Sequence, residues 1–176
     1  MDDLIIPECF LDTLLVETLI FPTKAYNHQK GCNTVCKVMR EELKDSFALG
    51  ILDDDGDRRR PYYLKKEFRF VTEKHLVQLY KHTEKHHYLI LHPPIESWLI
   101  KQAKEHNLAL TDYELPTDLK GWRKIKVPNR KDAERFKRLF RDLKNQNAEG
   151  IGVLKKWTAY LKEHARNADM NTLQNL

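Results

Sequence analysis

Long apolar stretches are missing from this chain. In 176 residues no run approaches the roughly 18–20 apolar residues of a membrane span. That excludes a helical integral membrane protein. Cysteine is scarce: there are three, so one is left over after any single disulfide, which argues against a secreted disulfide scaffold. Cys32 and Cys36 have helical spacing, but no second Cys or His pair matches them for a zinc site. Partly buried free thiols are the better reading. No Gly-rich phosphate loop of the P-loop type is present, so ATP hydrolysis by this chain is not expected. There is no Gly-x-Ser-x-Gly elbow either. Met1-Asp2-Asp3 lacks the basic opening of a signal peptide, so a soluble, cytoplasmic protein is expected.

Hydrophobic residues make up 41% of the chain and can build an ordinary core, while 32% are charged. The net charge of +5 is unevenly spread. Between Lys120 and Lys144, Lys120, Arg123, Lys124, Lys126, Arg130, Lys131, Arg135, Lys137, Arg138, Arg141 and Lys144 face only Asp132, Glu134 and Asp142. Such a run is usually a solvated helix face. Beside an acidic site it also suits a polyanionic substrate.

The order of elements predicts an α/β fold. Leu4–Pro7 reads as a strand and Phe10–Ile20 as a helix, ended by Pro22. Lys24–Asn27 is a weak strand candidate, and Asn33 a candidate cap for a helix through Leu43. Phe47–Leu52 is the clearest buried strand. Tyr62–Phe70 has no decisive period and is left as a short strand near Phe68–Val71 or a loop. Glu73–His82 reads as a helix or an irregular crossover. His87–Leu91 is a strand, followed by a helix over Ile95–His106 behind Pro93-Pro94. Residues 1–110 then form a mainly parallel sheet flanked by helices. Residues 111–176 form a connection and a basic helical C-terminal appendage, with helices near Lys131–Leu143 and Ile151–His164 and a fraying end.

Acidic residues gather where the predicted strands end. Glu8 follows the first, Asp53-Asp54-Asp55 the second, and Glu96 the third. The carboxyl ends of parallel strands form the ligand crevice of an open sheet. Carboxylates gathered there repel one another unless a cation offsets them. Glu8 and Asp12 have i, i+4 spacing across a strand-to-helix junction. Asp53 and Asp55 have i, i+2 spacing, so extended backbone aims both to one side. A Mg²⁺ or Mn²⁺ site for phosphoester chemistry is the simplest inference. Each acid alone has a plainer explanation: turns and first helical turns favour Asp and Glu.

Together these motifs resemble the Toprim domain, the α/β module of topoisomerases, primases and nucleases of the overcoming-lysogenization-defect type. The resemblance covers about residues 1–110. Glu8 and Asp12 match that family's first strand-end pair, Lys30–Val35 its Gly-containing helix start, Asp53 and Asp55 its Asp-x-Asp, and Glu96 the further Glu of the nuclease branch. Cys9 stands where a Gly often follows the first Glu, and the triple Asp leaves open which of Asp53, Asp54 and Asp55 bind metal. The resemblance implies a divalent-metal-dependent nuclease in which Glu8, Asp53, Asp55 and Glu96 hold Mg²⁺ or Mn²⁺ and Asp12 completes the catalytic set. It also implies an ABC-type ATPase partner in antiphage defence.

Other residues complete the expectation. His28, beside the crevice, is a candidate phosphate ligand or general acid. Lys30, Arg58, Arg59, Arg60, Lys124 and Lys126 are candidate contacts to a nucleic-acid backbone. His82, His86, His87 and His92 cluster around the last strand, where histidines are more often satisfied in the core or solvated than catalytic. Tyr62, Tyr63, Phe68 and Phe70 lie among basic residues, an arrangement that stacks on unpaired bases or packs on a core. The alternative to a nuclease is a non-catalytic subunit that keeps the fold and binds nucleic acid or an ATPase. An antagonist or inhibitor protein is neither supported nor excluded.

Overall fold

The computed structural model describes residues 3–20, 25–56, 59–125 and 130–176, with the side chains of 130–132 excepted. Three short apolar segments build its centre: β1 (Ile5–Pro7), β2 (Ala48–Asp53) and β5 (His87–His92). All three are buried on both faces. That is why they read as continuous apolar runs and why they pair in parallel. Two further strands, β3 (Phe68–Lys74) and β4 (Val77–His82), complete a five-stranded sheet of order β1-β2-β5-β4-β3. The β1–β2 and β2–β5 ladders are parallel, and the β5–β4 and β4–β3 ladders antiparallel.

Alternation along the strands divides the core. Ile5, Leu49, Ile51, Tyr88 and Ile90 face one side, where α1 (Phe10–Leu19), α4 (Ile95–Glu105), α6 (Arg130–Asn145) and α7 (Glu149–His164) cover them. Ile6, Ala48, Leu52, Leu89 and Leu91 face the other, against α2 (Cys32–Lys37), its π-helical continuation Val38–Glu42, and α3 (Tyr62–Glu67). On α6 the apolar stripe Phe136, Leu139, Phe140 and Leu143 is fully buried, so Arg138, Arg141 and Lys144 occupy the exposed back of a core helix. The basic helices share this core with α1 and α4. Among the described residues no helix is long and apolar enough to cross a membrane.

Five expectations change. The sheet is mixed rather than mainly parallel, because Phe68–His82 forms a hairpin in place of a helix or crossover. Its turn, His75-Leu76, has positive φ at both residues (49° and 67°). Two-residue hairpins need that geometry, usually from Asn-Gly or Asp-Gly, and neither is present. Tyr62–Glu67 is a helix, starting behind Pro61. Gly31, not Asn33, caps α2. The C-terminal end forms α8 (Met170–Asn175), capped by Asp169 and anchored by the buried Leu173. The short α5 (Leu119–Trp122) interrupts the expected connection.

Both margins of the sheet are covered. Beside β1, Asn27 and Gln29 donate to the Ile5 and Pro7 carbonyls (3.2 and 3.1 Å). Along β3 the register shifts between Phe70 and Thr72, and Gln174 from α8 donates to the Val71 carbonyl (3.3 Å).

At the rim where β5 begins, two histidines are buried. His87 Nδ1 accepts from the Tyr63 hydroxyl (2.9 Å), and its Nε2 donates to the Leu43 carbonyl (3.0 Å). His82 Nδ1 accepts from the Glu84 and Lys85 amides (3.0 and 3.1 Å), and its Nε2 meets Glu67 (3.0 Å). Burial holds both pKa values below the usual histidine range.

Two outcomes are expected. A methyl group on Gly50 would lie 2.5 Å from Leu89 and 3.0 Å from Val35, so Gly50→Ala costs about 1–3 kcal/mol by overpacking; urea midpoints measure this, and an unchanged midpoint refutes the close approach of α2. As pH falls below about 6.5 the unfolded chain binds protons that folded His82 and His87 refuse, so stability drops by up to about 1.4 kcal/mol per pH unit per site. His87→Gln flattens the slope of stability against pH, and an unchanged slope means His87 is not held neutral.

Candidate functional site

The parallel ladders bring the ends of β1, β2 and β5 together. Asp53 lies directly beside His92 in the β2–β5 register. Asp53 shares the face of Leu49 and Ile51, and His92 that of Tyr88 and Ile90, so both point toward α1 and α4. Glu8, one residue past β1, donates its N–H to the Ile51 carbonyl (2.9 Å). Its Oε2 accepts the Asp53 N–H at 3.1 Å.

Asp12 is fully buried, held by a reciprocal cap at the start of α1. The Cys9 N–H donates to Asp12 Oδ2 (3.1 Å), and the Asp12 N–H to Cys9 Sγ (3.4 Å). The thiol thus replaces the hydroxyl of an ordinary capping box. Burial and then the Asp12 charge push the Cys9 thiol far above its ordinary range. The cap leaves Asp12 Oδ1 free to face His92 Nε2 at 3.2 Å. Neither atom has a hydrogen bond of proper geometry. His92 Nδ1 faces the Pro93 carbonyl (2.9 Å) and Asp53 Oδ1 (3.5 Å), and the ring stacks on Trp98 at 5.1 Å.

Charge is crowded here. Burial raises the Glu8 pKa most; the Asp53 amide opposes this and the Asp12 charge adds to it. Burial and the Asp12 charge push Asp53 up to about 8, although the Ile95 N–H at the start of α4 donates to its Oδ1 (3.0 Å). Burial alone would depress His92, but the Asp12 charge and contact, then the Asp53 charge, outweigh it and raise the pKa to about 9. His92 therefore stands between two aspartates.

Asp54, next in sequence, has another fate. Arg60 grips it through two bonds (2.7 and 3.1 Å) and also donates to Tyr80 and Gln78. Burial would raise Asp54, but Arg60 and the Gly56 N–H hold its carboxyl below the usual range. Asp54 is thus occupied, and Arg60, expected on a nucleic-acid backbone, serves to close this loop. Asp55 is exposed, 3.6 Å from Arg59. Glu8, Asp53 and Asp55 line one narrow cleft with Cys32, Leu64 and Arg59.

The remaining expected residues lie farther out. Glu96 is half-buried in the first turn of α4 and is not among the residues lining that cleft. His28 is exposed, with Nδ1 3.1 Å from the Thr13 hydroxyl. Lys30 and Lys124 are exposed. Arg58 and Lys126 lie outside the described residues. Arg135 and Arg138 bond the Glu114 and Asp112 carbonyls (2.6 and 3.1 Å), so part of the basic run holds structure. His92, set among ordinary strand histidines by sequence, belongs to the site. Its parity with Tyr88 and Ile90 is the signal that marks it.

Asp12, Asp53 and His92 each offer one ligand atom, all within 4.8 Å of one another. The Asp12–His92 separation suits two neighbouring ligands with bonds of about 2.1 Å. Two carboxylates, an imidazole with an unsatisfied Nε2, and Glu8 close by make a donor set that fits a divalent cation. Comparison with protein-family models, curated proteins and solved structures gives no match for the chain.

Asp53 carries the test of this electrostatic picture. The folded state keeps its proton up to about pH 8, whereas the unfolded state loses it near about 3.9. Its contribution to stability is therefore lost as pH rises through that window. Asp53→Asn retains the oxygen that Ile95 needs. At alkaline pH in EDTA its melting temperature exceeds the parent's by roughly 2–4 °C per kcal/mol relieved. Mn²⁺ raises the parent's melting temperature and leaves the variant's unmoved. A less stable variant in EDTA sinks the crowding account, and an equal response to Mn²⁺ removes Asp53 from the ligand set.

Proposed function

We propose that this chain is a divalent-metal-dependent nuclease of Toprim type that hydrolyses phosphodiesters. The observation that carries the reading is the meeting of Glu8, Asp12 and Asp53 at the adjacent carboxyl ends of β1 and β2, with His92 from β5. Open parallel sheets take their ligands at that edge.

Mg²⁺ or Mn²⁺ would be held by Glu8 and Asp53, with Asp55 at the rim of the cleft. The nitrogen donor of His92 makes Mn²⁺ the first ion to test. Such an ion, when bound, activates water and steadies the leaving oxygen. Asp12, fixed by the Cys9 cap, presents Oδ1 toward the same space. Glu8 and Asp53, with raised pKa values, ionise fully only when a cation offsets their repulsion. His28, oriented by Thr13 and open to solvent, is placed to donate a proton to the leaving group. Lys30 and Lys124, both exposed, would meet a phosphate backbone, and Arg59 would join them on leaving Asp55. An ABC-type ATPase partner and an antiphage setting rest on the Toprim resemblance alone.

One observation favours a second reading, a non-catalytic subunit that binds nucleic acid or an ATPase. Asp12 and His92 are both completely buried against Trp98, so an inner cation would be closed off from a large substrate.

Incubating plasmid DNA and total tRNA with the purified chain and Mn²⁺, beside Asp53→Ala, separates the two. For the nuclease, the parent cleaves one of the two and the variant loses at least about 100-fold in rate, the scale set by removing one charge-stabilising group. Cleavage unchanged in the variant removes the site. Cleavage by neither protein, together with tight binding of nucleic acid, establishes the second reading.

A further inference from the structure

The rim that carries the carboxylates continues past β5. Because β4 runs antiparallel to β5, it starts at this rim, with Gln78 beside Leu91. The His75-Leu76 turn and the end of β3 therefore stand on the same side of the sheet as Asp53 and His92. Next to that turn is a cavity of about 390 Å³. Its wall is basic: Lys74 from β3, Lys144 from the last turn of α6, and Lys155 and Lys156 from α7. These positions come from three elements, so folding gathers them and no single charge run does.

Four ammonium groups around one cavity repel one another, and Glu149 is the acidic side chain among the residues that line it. Lys156 donates to the Leu176 carbonyl (3.0 Å). The carboxylate of Glu149, on the same wall, is engaged by His75 Nδ1 at 2.7 Å. Among the described residues Lys74, Lys144 and Lys155 have no ion pair. The first turn of α7, which also lines the cavity, has no side-chain cap, so its amides add to the positive field. An anion with several oxygens answers all of these groups together.

We propose that this cavity is a phosphate subsite. It holds one backbone phosphate of the nucleic acid whose phosphodiester meets the carboxylates, and so it rests on the function proposed above. β3 lies three strands from β2, the strand that carries Asp53, about 14 Å along the rim, or about four nucleotide steps of a duplex strand. The subsite supplies attraction and register, and the carboxylate end supplies the chemistry. A strand laid across the rim passes from lysines to acids.

Fluorescence anisotropy with labelled single-stranded and duplex DNA, in EDTA so that nothing is cut, tests this. Lys74→Gln/Lys144→Gln/Lys155→Gln should bind about 10-fold more weakly at low salt. Its plot of log affinity against log salt should be shallower by about one to two for the duplex. A control, Lys37→Gln/Lys44→Gln/Lys85→Gln, removes the same charge away from this rim and should leave the slope unchanged. Should the triple variant fail to fold, Lys74→Gln and Lys155→Gln singly carry the same comparison. Equal losses in both triple variants, or a parent that binds neither probe, overturn the proposal. Metal-free binding is separate from turnover. A reduced slope without any cleavage keeps the subsite and discards the nuclease, whereas Asp53-dependent cleavage with an unchanged slope does the reverse.

Discussion

The hydrogen-bond ladder that β2 makes with both its neighbours is the constraint on which the rest of the site depends. β2 is too short and too buried to choose its own position, so β1 and β5 set it in parallel register. That register places Asp53 beside His92 and turns the Asp53 amide toward Glu8. A slip of one residue would exchange the two faces of the strand. Asp53 would then leave α1 and α4, and Asp54 would lose Arg60. Backbone pairing thus decides which of three consecutive aspartates turns toward His92 and which is gripped by Arg60.

Adjacent residues show how strongly surroundings govern a carboxylate. Asp54 gains a fixed guanidinium and is held ionised. Asp53 is desolvated beside other acids and resists ionisation. The loop closed by Arg60, Tyr80 and Gln78 ties the first aspartate cluster to the hairpin, so the same bonds that neutralise Asp54 also brace one wall of the cleft. His92 makes the complementary contribution from inside, where its buried ring faces Asp12 on one nitrogen and Asp53 on the other.

What was legible in the sequence follows from which forces act locally. Continuous apolar runs bounded by turns announced β1, β2 and β5, and the acids at the ends of the first two drew attention to Glu8 and Asp53. Helical spacing announced α1, α4, α6 and α7. The hairpin over Phe68–His82 was hidden, since its turn uses His75 and Leu76 at positive φ and its strands are half-exposed and charged. Tertiary contact, not turn chemistry, fixes it: Gly150 leaves room for α7 to approach the His75 carbonyl. The contacts of His92 and Arg60 were hidden for a related reason. They are made with residues 39–80 and 6–20 positions away, respectively, which no local pattern reports. Cys9 interrupts an expected glycine, yet it caps α1 and fixes Asp12, a role that only the folded geometry reveals.

Covered margins at both ends of the sheet carry a consequence of their own. The Asn27–Gln29 segment occupies the outer side of β1, while the bulge, Gln174 and the charges of Arg69, Glu73 and Lys74 interrupt β3. Neither end offers the straight row of open amides that a foreign strand needs as a template. The sheet is therefore terminated in both directions: polymerisation by edge-to-edge stacking is disfavoured even at high local concentration, and larger assemblies are left to form through helical surfaces and side chains, where association can be reversed.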